Sequence, residues 1–215
     1  MSSSAPSSAP TVRTSVSGTR VILALDTSTD MLACAVARVT TASAQDNTAT
    51  TAIDVLATGD HLCRRRANVE LTATALETLA KARLAMADVD QVLVGRGPGS
   101  FTGVRIGIAT AKGLACGLAT TLLGASTLDA VAWTAWQAGQ RGRLAVVGDA
   151  MRKEVYPGVY LLDERGAHRT FEVERVRTVN AAIDELKARS DAGQLVLSGD
   201  GLKKYRTAFE GAGLT

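Results

Sequence analysis

Val94-Gly95-Arg96-Gly97-Pro98-Gly99-Ser100-Phe101-Thr102-Gly103-Val104-Arg105-Ile106-Gly107 is the stretch whose reading decides the fold. Val92–Val94 is a short apolar strand, and Val104–Ala119 continues with apolar residues at helical spacing. A strand that stops in glycine-rich backbone and restarts as a helix gathers amide N–H groups and the positive end of a helix dipole, the construction of an anion site. Phosphate is the first candidate, with Gly97, Gly99, Ser100, Thr102 and Gly103 to hold it. The known signatures fail on spacing. G-x-G-x-x-G would need glycine at 100 or 102, where Ser100 and Thr102 stand, and no G-x-x-x-x-G-K-[ST] exists. The nucleophile elbow fails as well, because Pro98 and Thr102 flank Ser100. A structural turn that seats the helix stays open as the alternative.

Outward from the loop, strand and helix patterns alternate. Val21–Leu25 is continuously apolar and runs into the polar turn Asp26-Thr27-Ser28-Thr29. Leu32–Val39 and Ile53–Thr58 read as two more strands, and short connections favour an antiparallel meander. Ala67–Ala87 reads as a helix with Val69, Leu76, Leu79, Ala80 and Leu84 as its apolar positions. Beyond the loop come a strand at Thr121–Leu123, a helix at Leu128–Gln137, and strands at Leu144–Val147, Glu154–Leu162 and His168–Val173. A helix at Val179–Arg189, a strand at Leu195–Leu197 and a helix at Lys203–Phe209 close the chain. This second group restarts with a strand and an acidic turn, Gly148-Asp149-Ala150-Met151-Arg152-Lys153. The expectation is an α/β protein of two related lobes, 20–127 and 128–215, with no identical internal repeat. Residues 1–19, rich in Ser, Ala, Pro and Thr without periodicity, are expected to be a disordered tail.

Asp26, Thr27, Ser28 and, in the second group, Asp149 could grip a metal-bound nucleotide across a cleft; a lone Asp at a strand end is equally a turn cap. Gly103, Gly107, Ala111, Ala115 and Ala119 fall every four residues on one helix face, a surface either for close packing on the sheet or for a partner. The two histidines, His61 and His168, form no His-x-x-x-His pair, so no metal site is expected. His61 and Cys63 stand at i and i+2 on a strand as a thiol–imidazole pair with no orienting group, and no catalytic residue is assigned. Arg64-Arg65-Arg66 and the group Lys203, Lys204, Arg206 read as solvated charge or an adjunct to phosphate contact. Cys34, Cys63 and Cys116 are odd in number without a C-x-x-C pair and read as small buried residues of a reducing compartment.

At 215 residues, 46% of them apolar, the chain can build a substantial core. Its net charge of +3 invites a nucleic-acid reading. Two of the 24 basic residues, Arg13 and Arg20, precede Val21, which leaves 22 basic against 21 acidic groups. A near-neutral fold argues against an autonomous nucleic-acid binder, and 4% aromatics leave few stacking platforms. No run approaches the ~20 apolar residues of a membrane helix. The first residues lack the basic start and apolar run of a signal peptide. A cytoplasmic protein without membrane contact is the expectation.

The loop, with its continuation Ala109-Thr110-Ala111-Lys112-Gly113-Leu114, resembles the signature of the bacterial TsaB (YeaZ) family. Ile22–Thr29 (ILALDTST) resembles that family's start and Gly148–Tyr156 (GDAMRKEVY) its internal Asp-Ala-Arg-x-x-Glu-Val-Tyr segment; Gly199-Asp200-Gly201 sits where a late glycine motif belongs. The likeness runs from about Arg20 to the C-terminus. It implies an actin-like ATPase (ASKHA, ribonuclease H-like) fold with two lobes, mixed sheets flanked by helices. It also implies a part in transferring threonylcarbamoyl to N6 of adenosine 37 in tRNAs that read codons beginning with A. Family members are regarded as the non-catalytic partner of TsaD, which carries the metal and the transferase site, while TsaE supplies an ATPase. The implied partners are therefore TsaD in a heterodimer, TsaE, tRNA only through the complex, and a second copy when the chain is alone. No cofactor of its own is implied; ATP or ADP with magnesium enters only in the assembled complex. In the family TsaD docks on two N-terminal-lobe helices, which puts Glu70, Gly107, Ala111 and Ala115 forward as an interface. Asn68-Val69-Glu70 stands where many relatives have His-Ser-Glu, a departure that leaves Glu70 as the matching polar residue. The rival reading is a nucleotide-dependent phosphotransferase or ATPase of the actin-like class using Asp26, Asp149 and the Gly97–Gly103 loop.

Overall fold

Alternation of apolar residues builds the first sheet of the computed structural model, which describes residues 18–43, 49–63, 66–171, 175–190 and 195–214. Strand β1 (Gly18–Asp26) turns Leu23 and Leu25 inward, and β4 (Gln91–Gly95) does the same with Val92 and Val94. On the other side of β1 from β4, β2 (Met31–Ser43) and β3 (Ala49–Leu62) complete the antiparallel meander. With β5 (Thr121–Ala125) the order is β3-β2-β1-β4-β5, and β4 runs parallel to both β1 and β5. Residues 1–17 lie outside the described residues; Gly18 and Thr19, placed in the tail by composition, are already strand.

Helices α1 (Ala67–Lys81) and α2 (Phe101–Gly117) pack beside each other on this sheet. The inward residues of α1 are Leu71, Ala75 and Leu79 with Thr74 and Thr78, whereas Val69 and Leu76, two of the apolar positions that marked the helix, are 65% and 50% exposed. The helix stops at Lys81, six residues before the expected end. Arg83 takes the left-handed conformation (φ 58°) there, and the amides of Arg83 and Leu84 return to the carbonyls of Ala80 and Leu79. That is a Schellman cap built without the usual glycine. Helix α2 begins at Phe101, three residues earlier than its apolar pattern suggests, because Ser100 is its N-cap and accepts the Gly103 amide.

Helix α3 (Thr127–Gln137) then crosses to a second sheet, in which β6 (Gly142–Met151), β7 (Glu154–Asp163) and β8 (Gly166–Phe171) form another antiparallel meander. The two-residue β9 (Arg177–Thr178) pairs with β7, and β10 (Leu195–Ser198) lies parallel beside β6. Residues 144 and 146 face α3, with Leu128 and Ala132. Residues 145 and 147 face α4 (Val179–Lys187) and α5 (Leu202–Gly211), against Ile183, Leu186 and Phe209. The architecture is thus two lobes of mixed sheet flanked by helices, and each lobe contains the order β-β-β-α-β-α, to which the first adds β5 at its end and the second the short β9 before α4. Among the described residues no helix is long and apolar enough to cross a membrane.

Candidate functional site

The turn after β1 and the glycine loop after β4 form one unit. Asp26 accepts the Ser28 amide at 2.7 Å through Oδ1 and the Thr127 hydroxyl at 2.7 Å through Oδ2; that hydroxyl also lies 3.0 Å from the Ser28 Oγ. The Thr27 hydroxyl donates to the Gly103 carbonyl at 2.7 Å, and the Ser100 amide to the Ser28 carbonyl at 2.6 Å. Thr27 and Ser28 are buried. The glycines follow from this approach: a Cβ at Gly95 would strike the Asp26 carboxylate, one at Gly99 the Ser28 carbonyl, and one at Gly103 the Thr27 carbonyl. Gly97 adds a positive φ of 83°. Of the candidate phosphate residues the structure therefore brings Asp26, Thr27, Ser28, Gly99, Ser100 and Gly103 into mutual contact, with two loop amides, those of Ser100 and Gly103, already bonded.

Asp149 stands apart from that unit. It lies in the last, turn-ward residues of β6, its Oδ2 pairs with Lys204 Nζ and its Oδ1 accepts the Met151 amide at 3.0 Å. Its own amide donates to Asp200 at 2.9 Å. The Asp149 carboxylate pushes the Lys204 ammonium upward, while burial pushes the Asp200 carboxyl upward. Both acidic turns thus hold partners from the chain itself, where a nucleotide grip would need free carboxylates.

The small-residue ladder turns inward. Gly103, Gly107, Ala111 and Ala115 are the buried positions of α2, and a Cβ on Gly107 would come within 2.6 Å of the Thr27 hydroxyl. Ala119 lies beyond the helix, one residue past the C-cap Leu118, at φ 51°. A ladder buried on the sheet is a packing surface, so the interface expected at Gly107, Ala111 and Ala115 is corrected: those residues have no surface to offer. The outer face of the two helices carries Val69, Ala73, Leu76 and Ala80 on α1 and Ala109, Gly113, Cys116 and Gly117 on α2, all exposed. Around Gly113 and Gly117 an added Cβ would meet nothing within 4 Å. Cys116, read as buried from composition, is exposed, whereas Cys34 and Cys63 are buried.

A cavity of about 420 Å³ opens beside the glycine loop, between Thr27, Asp30, Cys63, Phe101, Thr102 and Met151. Met151, Arg152 and Lys153 at the β6–β7 hairpin all have φ between 50° and 65°, and each such residue costs about 1–2 kcal/mol. Glu70, put forward for the interface, is partly exposed and held by two groups of its own chain. His61 Nε2 meets one of its oxygens at 2.9 Å and Arg66 Nε meets the other at 2.9 Å. The His61 hydrogen bond, first among the causes, holds its carboxyl below the ordinary value. Glu70 is the orienting group that the His61–Cys63 pair lacked in the sequence. The alternation of His61 and Cys63 was readable; that α1 returns Glu70 over β3 was not. Arg64 and Arg65 lie outside the described residues.

A family described as TsaD, tRNA N6-adenosine threonylcarbamoyltransferase, matches residues 61–205. The chain is 33% identical over 153 residues to the tRNA threonylcarbamoyladenosine biosynthesis protein TsaB of Escherichia coli, covering 71% of this chain and 65% of that protein. To the TsaB of Buchnera aphidicola it is 27% identical over 86% of this chain and 81% of the relative. The chain therefore spans just under two thirds of the E. coli protein's length. Among solved structures, one described as an uncharacterized protein with similarity to peptidase YEAZ from Pseudomonas aeruginosa superposes with a TM-score of 0.65 at 28% identity, over 87% of this chain and 79% of that one. The likeness carries the actin-like, ribonuclease H-like two-lobed fold.

Proposed function

We propose, from the premise that the chain belongs to the TsaB (YeaZ) family, that it serves threonylcarbamoyladenosine formation in tRNA as a non-catalytic subunit. It binds a TsaD-type partner through the outer face of α1 and α2, biases that partner toward its active arrangement, and meets TsaE and tRNA within the assembly. One observation carries this reading: the carboxylates of both acidic turns and two amides of the glycine loop are already bonded to the chain's own groups, while the outer helix face is left with exposed apolar and small residues. Val69 and Leu76 supply apolar area there, and Gly113 and Gly117 let a second backbone approach closely. Bias on a partner requires tighter binding to one of its states.

The test mixes the purified chain with TsaD from the same source and follows co-elution on size exclusion together with threonylcarbamoyl transfer to tRNA. Gly113→Arg should abolish co-elution and the dependent modification. In the isolated chain the same change replaces a poor helix former with a good one, roughly 0.5–1 kcal/mol in favour of folding, so loss of binding is separable from loss of structure. An unchanged complex would remove this face from the interface. Tight binding and turnover of ATP with magnesium by the isolated chain would instead favour the phosphotransferase or ATPase reading.

A further inference from the structure

Three chemistry-bearing groups that the proposed function does not use converge at one place. His61 and Cys63 leave the end of β3 on the same side, and Glu70 in the first turn of α1 comes back over them. The imidazole Nε2, the thiol sulfur and a carboxylate oxygen all lie within 4.8 Å of one another. We propose that His61, Cys63 and Glu70 form a binding site for a thiophilic divalent cation of the zinc class, beyond the subunit role described above.

Nitrogen, sulfur and carboxylate oxygen are the donor set that zinc takes, at about 2.0–2.3 Å from the ion, which sets tetrahedral donors roughly 3.5 Å apart. The His61–Glu70 pair at 2.9 Å has to part by a few tenths of an ångström, and the sulfur has to close in by less than about 1.5 Å. Support outside the donor set is present: Arg66 Nε holds the second Glu70 oxygen at 2.9 Å and fixes the carboxylate plane, as metal-ligating carboxylates are commonly held. Cys63 is only 5% exposed and lines the 420 Å³ cavity. A three-ligand ion here keeps its fourth position for water. Burial keeps the free Cys63 thiol protonated, so the ion displaces that proton to solvent and bonds the thiolate. The bound ion ties the end of β3 to the start of α1, the helix whose outer face is proposed for the partner.

The test uses the full chain, free of any affinity tag, stripped with a chelator and kept in a non-thiol reductant. Cobalt(II) titration should give a thiolate-to-cobalt charge-transfer band at one ion per chain, bleached by zinc. Cys63→Ser should lose the band, while Cys34→Ser and Cys116→Ser keep it. His61→Ala and Glu70→Gln should each weaken zinc binding at least tenfold. Absence of the band in the unaltered chain, its persistence in Cys63→Ser, or its loss in Cys116→Ser overturns the proposal. Should Cys63→Ser fail to fold by circular dichroism, Glu70→Gln decides, and undiminished zinc affinity in that variant is an overturning result. The readout is metal binding by the isolated chain, so it is independent of whether a TsaD-type partner is bound.

Discussion

The two lobes carry one plan on two unlike sequences. In each, a meander leads through a helix to a strand parallel to the first, and that strand feeds a final helix through glycines. Gly99 and Gly103 lie on the carbonyls of Ser28 and Thr27 at the end of β1; Gly199 and Gly201 lie on the carbonyl of Val147 in β6. What differs is the acidic residue. Asp26 bonds a hydroxyl and an amide, whereas Asp149 pairs with the ammonium of Lys204. The feature held in common is close backbone approach, which is sufficient reason for the glycines; ligand binding would have to show itself in the side chains, where the lobes disagree. The sheets differ too, since the second is covered on both faces and the first carries Ala24, Ala35 and Leu93 in partial exposure, and Ala33 exposed, opposite its helices.

The sharpest way to break the comparison is at the glycines. Gly103→Ala forces a Cβ into the Thr27 carbonyl, rigid backbone on both sides, and should cost about 3 kcal/mol or more. Gly201→Ala places its Cβ 2.9 Å from the Val147 carbonyl and 3.0 Å from a mobile Val147 methyl, so about 1 kcal/mol is expected. Denaturant midpoints on the two variants measure both. Equal losses would mean that the junctions are equally tight and that the lobes differ only in charge.

The next largest effect separates the acidic turns. Thr127→Val removes a hydroxyl that both the Asp26 carboxylate and Ser28 use in a buried setting, and should cost about 1–2 kcal/mol in a denaturant melt. Lys204→Gln breaks an ion pair whose lysine is 48% exposed, and solvent screening limits the loss to roughly 0–1 kcal/mol. A larger loss at Lys204 would make the second turn, not the first, the structurally committed one.

Much of this was legible in the sequence because the strands alternate cleanly and the glycine loop marks the junction of β4 and α2. The end of α1 was not, since its capping residue is Arg83 and the glycine that normally signals a Schellman motif is missing. The orientation of the α2 ladder was equally hidden: a stripe of small residues predicts that something comes close, and only the position of Thr27 says that the neighbour is the chain itself. Val69 and Leu76 misled for a related reason. Apolar residues at helical spacing mark a face, while burial depends on which face the sheet occupies. At the site, pairs near in sequence such as His61 and Cys63 could be seen together, but Asp26 with Thr127 spans 101 positions and exists only in the fold.

The smallest effect, and the most diagnostic, is the sign of the pH dependence in each lobe. In the first, the hydrogen bond from His61 lowers the Glu70 carboxyl below its ordinary 4.5, so the folded state holds fewer protons than the unfolded one through that range. The stability it contributes is complete above 4.5 and is lost as pH falls through the lowered value. In the second, burial raises the Asp200 carboxyl above its ordinary 3.8, so the folded state holds more protons and stability declines as pH rises from 3.8 through the raised value. Glu70→Gln should therefore flatten the acid limb of a stability–pH curve. Asp200→Asn, whose amide oxygen can still accept the Asp149 amide, should raise stability near neutrality. Unfolding midpoints collected from acid to neutral pH decide the matter: slope changes of the same sign in both variants, each against the unaltered chain, would show that the lobes, unlike in sequence and in their acidic turns, are nevertheless alike in how they hold these half-buried carboxyls.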